Sequence, residues 1–102
     1  MAFTVLAWWS ARPGQGEKLS PLLGLMRDHA RDEVGCQAYE VHRSQDDADS
    51  FMLYEVYDDE VAYETHLNSE AFAAIGKAQA MPLLADRRRE FHTRLQSFDR
   101  EA

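Results

Sequence analysis

The sequence predicts an α+β fold in which four antiparallel strands carry both helices on one face. Three observations lead there. Alternating or aromatic-rich stretches recur four times, at 3–12, 36–44, 51–57 and 91–98. Apolar residues at helical spacing fill the intervals after the first and third of these. The remaining interval, 45–49, is a polar turn of hairpin length.

The first strand, 3–12, places Phe3, Val5, Ala7, Trp9 and Ala11 on one face and Thr4, Leu6, Trp8, Ser10 and Arg12 on the other. Both rows hold bulky apolar groups, as expected of a central strand covered on two sides. Pro13-Gly14 ends it, and a helix over 15–33 follows with Leu19, Leu22, Leu23, Met26 and Ala30 as its apolar stripe. Gly24 is locally unfavourable there, which suggests close packing on the sheet. His29 borders the stripe and reads as partly exposed. Gly35 stops the helix before the second strand. His42, near that strand's end, reads as surface, and Cys36 as a small buried hydrophobe.

The third strand leads into Asp58, Asp59 and Glu60, acids suited to a helix N-terminus. A short helix carries His66, and Asn68-Ser69 breaks it. A second helical run is expected over 70–81, with Phe72, Ile75 and Gln79 along one side, until Pro82 interrupts it. The basic run Arg87-Arg88-Arg89 precedes the expected fourth strand, 91–98, and residues 99–102 are expected to fray. Strand, helix, strand, strand, helix, strand is the ferredoxin-like βαββαβ order, with strands one and three in the middle of a four-stranded antiparallel sheet. The helix-free face would then be apolar, and a homodimer through that sheet face is its natural cover.

At 102 residues the chain is expected to form one domain, 1–102. A net charge of −7 argues against nucleic acid or an anionic membrane as partner. No apolar run reaches the length of a membrane span, and the start lacks the basic segment of a signal peptide. A lone cysteine fits a reducing, cytoplasmic setting. Metal and nucleotide motifs such as C-x-x-C, H-E-x-x-H and G-x-G-x-x-G are missing from the sequence, so no metal site is expected.

The best chemical lead is His66. At about 100° per residue, Glu60 and Glu64 share one face of the short helix, and Ala62 and His66 lie near the other. With the acids in water, His66 points inward over the strand bearing Tyr54, Glu55 and Tyr57. Glu55, a carboxylate in a central strand, needs a partner, with Arg43 and the arginine run as candidates beside a tyrosine or backbone N–H. The arginine run itself suits either a solvated face or a clamp for a carboxylate or phosphate.

Arg12-Pro13-Gly14, Gly35-Cys36, Tyr54-Glu55-Val56-Tyr57, His66, Ser69 and Phe72 together resemble the antibiotic biosynthesis monooxygenase domain, over nearly the whole chain. That resemblance implies a dimeric α+β barrel, and an activity among those of cofactor-free oxygenases of phenols and quinols, heme-degrading enzymes and an autoinducer-phosphate isomerase. The heme-degrading branch is opposed by Gly76, which stands where a ligating histidine is needed, and by His66, which stands where that branch has tryptophan. The implied activity is therefore cofactor-independent oxidation of an aromatic polyketide, phenol or quinol by O2. His66 would be the base, and Trp8 or Trp9, Tyr54, Tyr57, Asn68 and Phe72 the substrate-binding set. Alternation puts the two tryptophans on opposite faces, so one should line the pocket and the other meet the dimer partner. The rival readings are the isomerase and a non-catalytic binding or stress-response dimer.

Overall fold

The computed structural model describes residues 1–98, so the expectation for 99–102 lies outside the described residues. Four strands form one antiparallel sheet in the order β2-β3-β1-β4: β1 (Phe3–Ala11), β2 (Cys36–Arg43), β3 (Ser50–Tyr57) and β4 (Leu84–Thr93). Three helices complete the ferredoxin-like order: α1 (Gly16–Arg31), α2 (Glu60–Leu67) and α3 (Phe72–Ala80), the last followed by a 3₁₀ turn over Met81–Leu83. Among the described residues no helix is long and apolar enough to cross a membrane.

The fourth strand departs from expectation. It runs over 84–93 and not 91–98, and pairs Arg89 with Ala7, Arg88 with Trp8 and Arg87 with Trp9. The arginines lie inside the strand because it is an edge. One flank is open to water, so long charged side chains there can cross apolar surface and still reach solvent.

Alternation divides the sheet into two faces. Val5, Ala7, Trp9, Phe51, Leu53 and Tyr57 face the helices and are buried with Leu19, Leu23 and Met26 of α1. The other face carries Leu6, Trp8, Met52 and Tyr54, with Leu6 opposite Tyr54 and Trp8 opposite Met52, all only half-buried.

α3 is wound wider than an α-helix. The N–H after its last residue, that of Met81, bonds the Gly76 carbonyl, and the Gln79 side chain reaches the Ala74 carbonyl. The wider turn buries Phe72, Ile75, Gly76 and Ala80 and leaves Gln79 exposed, against the α-helical spacing expected. Gly24 is also corrected: a Cβ built there meets nothing within 4 Å, so no packing contact requires the glycine.

Candidate active site

α2 places His66. Its N-cap Asp59 accepts the Ala62 N–H at 2.8 Å, satisfying a free donor of the first turn. The chain leaving α1 must then pass very close, because a Cβ on Gly35 would lie 2.6 Å from the Ala62 Cβ. Only glycine lets α2 settle against this loop. Glu33, just upstream in the same loop, thereby meets the histidine: His66 Nδ1 and Glu33 Oε1 are 2.7 Å apart.

His66 is 4% exposed and sits within an aromatic cage. Ring centroids of Phe72, Tyr57, Tyr39 and Tyr63 lie 5.4, 5.5, 5.9 and 6.4 Å from the imidazole. A carboxylate can only accept, so the contact with Glu33 assigns the proton to Nδ1 and leaves Nε2 as the basic nitrogen of the neutral ring.

The cavity beside His66 holds about 10 Å³ and lies over Ala7, the small side chain in this part of β1. Trp9, Tyr39, Glu55, Arg87 and Arg89 also line it. Glu55 is 5% exposed and accepts a 2.6 Å hydrogen bond from the Tyr57 hydroxyl. Burial pushes its carboxyl above the ordinary range, with the Tyr57 hydrogen bond and His66 working in the other direction. Burial and the neighbouring Glu55 likewise push the Tyr39 and Tyr57 hydroxyls up, so both stay protonated. Arg89 Nη1 donates to the Tyr63 hydroxyl at 2.9 Å, and the Arg87 guanidinium carbon lies 5.1 Å from the Trp9 ring centre.

The residues expected to bind substrate separate into groups. Trp9 is the tryptophan that lines the helix-side cavity, with His66 and Phe72. Tyr57 faces the same side and contacts the imidazole. Trp8 and Tyr54 are placed on the opposite sheet face, because the period of two that puts Glu55 inward turns Tyr54 outward. Asn68 is exposed and lines an outer groove beside α2, away from this cavity. Arg43, a candidate partner for Glu55, instead bonds Glu17 and the Ala48 carbonyl. The arginine run does not act as one clamp: Arg87 and Arg89 face the cavity, while Arg88 turns to the other face, 4.0 Å from the Trp8 ring centre.

Glu33, Tyr39 and Tyr63 join the site without having been singled out in the sequence. Tyr63 carried a usable signal, since it lies at i−3 from His66 on one helical face. Glu33 carried none, because its place depends on the approach of a loop to α2. Cys36 is half-buried, its thiol pushed up to about 11 by burial and the nearby Glu33 and Glu55 charges, so it is no nucleophile near neutrality. At the position where a heme-degrading relative would carry its ligand, a Cβ on Gly76 would already lie 3.0 Å from the Phe72 ring. The residues here do not fit iron ligation by that helix. Among the described residues no group of three or more His, Cys, Asp or Glu forms a metal cluster.

A family model described as antibiotic biosynthesis monooxygenase matches residues 2–78. Among solved structures, a Pseudomonas aeruginosa protein is similar at 29% identity and TM-score 0.87, over 93% of this chain and 95% of that one. A Mycobacterium tuberculosis protein is similar at 26% identity and TM-score 0.86, over 97% and 100% of the two chains. A structure named antibiotic biosynthesis monooxygenase shares the fold, at 21% identity and TM-score 0.85 over 92% and 99%. No curated protein matches the chain.

Proposed function

Because the chain belongs to the antibiotic biosynthesis monooxygenase family, we propose that it oxidises a phenolic or quinol-type aromatic with O2, using His66 as base. The observation that carries this reading is the buried His66, tied to Glu33 at 2.7 Å and ringed by four aromatic side chains beside a small cavity.

The chemistry asks little of the protein. His66 Nε2 takes the phenol proton, and the electron-rich phenolate can then pass an electron to O2. Recombination forms a C–O bond at the para carbon as a peroxide. Loss of the para hydrogen as a proton and cleavage of the O–O bond leave a quinone and one water. A phenol plus O2 thus becomes a para-quinone plus water, with one atom of the O2 in each product and the substrate supplying all the electrons. The aromatic walls hold a planar ring and limit the escape of reactive intermediates. A ring does not fit the cavity as it stands, since about 10 Å³ holds roughly one water.

The chain is proposed to act as one domain and as a homodimer, paired through the sheet face bearing Leu6, Trp8 and Tyr54. The small cavity also favours a second reading, a ligand-binding dimer without turnover.

Replacing His66 by Ala should lower the rate of phenol or hydroquinone oxidation about 10²–10⁴-fold, the usual worth of a positioned base. His66→Gln keeps a polar side chain without a base, so it separates packing from proton transfer. A folded His66→Gln protein that oxidises as fast as the parent would remove the histidine from the chemistry.

A further inference from the structure

Three side-chain polar atoms among the described residues are buried without a hydrogen-bond partner: Trp9 Nε1, Tyr39 Oη and Arg87 Nε. All three side chains line the cavity over Ala7. They come from three different strands, so no local turn brings them together; sheet register does. Trp9 stands opposite Arg87 in the β1–β4 pair, and Tyr39 stands opposite Glu55 in the β2–β3 pair. Trp9 itself is 1% exposed, so water outside the fold cannot satisfy its N–H.

Buried polar groups are nearly always paired, and each exception calls for an explanation. Here one explanation serves all three. Indole and guanidinium N–H groups only donate, and the tyrosine hydroxyl can donate. What they lack is an acceptor with several lone pairs, and the cavity that all three side chains line holds about 10 Å³. From this convergence we propose that the cavity is a binding site for one electron-rich oxygen, a water at rest and an anionic oxygen in the ligand-bound protein. Arg87 supplies positive charge. Glu55, on the same cavity, is the one opposing acid, and in its protonated form it could donate as well.

The kind of ligand rests on the function proposed above; the site does not. An aromatic ring is excluded from this space while its oxygen is not, so a phenolate would insert its oxygen and leave its ring towards Arg87 and Arg89. Reduced dioxygen carries the same charge and acceptor chemistry.

The test reads binding directly. The chain has two tryptophans, so its indole N–H NMR spectrum has two signals to assign, and Trp9→Phe identifies that of Trp9. Azide serves as a probe for a small anion, and 4-nitrophenolate for an aryl oxygen. The Trp9 signal should move saturably with at least one of them while the Trp8 signal stays in place. Arg87→Met should weaken that response about tenfold, as loss of a charged hydrogen bond does. A response to azide alone supports a site for reduced dioxygen, and a response to nitrophenolate supports one for the substrate oxygen. A Trp9 signal unmoved by either probe overturns the proposal, as does a response undiminished in folded Arg87→Met. This outcome is independent of turnover, so its failure leaves the His66 reading standing, and an active His66→Gln leaves this site standing.

Discussion

Glu55 shows how one buried side chain can set a pH dependence. Its carboxyl is raised by burial, against the hydrogen bond from Tyr57. An acid raised on folding binds more protons in the folded than in the unfolded chain, between the two pKa values. Stability contributed by this residue is therefore greatest below about pH 4, and is lost as pH rises through the folded value. Glu55→Gln keeps an acceptor for the Tyr57 hydroxyl and removes the titration. Thermal melts should show the variant gaining on the parent as pH climbs from about 4 towards neutrality. A constant difference across that range would show that Glu55 does not titrate with folding. His66 was legible at this scale, since its helical position alone turns it inward. Glu33 and Tyr39 were not, because each reaches the site only through long-range packing.

Among the elements, α1 carries a residue that its surroundings do not require. Gly24 has open space where a Cβ would stand. Gly24→Ala should stabilise the fold by about 0.5–1 kcal/mol through helix propensity and a less flexible unfolded chain, read as a higher urea midpoint at unchanged slope. A lower midpoint would mean that the glycine makes a contact absent here. Element order and the first three strands were readable from alternation and turn residues. The fourth strand was not, because an arginine run looks like solvent-facing loop until an edge position explains it. The winding of α3 was equally hidden, since a nine-residue segment is short enough to fit a period of 3.6 as readily as a wider one.

For the whole molecule the open question is what covers the helix-free sheet face. Leu6, Trp8, Met52 and Tyr54 form a half-buried apolar centre there, with Arg88 against Trp8 at one side. Light scattering is expected to give twice the 11.7 kDa chain mass. Leu6→Glu would place a second acid beside Glu90, its partner on β4, and should shift the protein to single chains with the circular dichroism spectrum unchanged. A parent protein that scatters as one chain would leave the face uncovered and the dimer withdrawn. Apolar rows on both sides of β1 made this question visible in the sequence; which tryptophan belonged to which side needed the fold.

The placement of the arginines in β4 has a consequence for how the protein behaves at high concentration. In the order β2-β3-β1-β4 that strand is an outer one, and its free flank offers backbone donors and acceptors to any extended chain that drifts alongside. Ten residues is long for such a flank. Charge in its middle raises the electrostatic cost of stacking like strands, as gatekeeper residues do beside fibril-forming segments. Arg87 and Arg89 thus border the cavity and, with Arg88, also place three positive charges in the middle of that outer strand. Neutralising all three at once would exchange a binding experiment for an aggregation experiment.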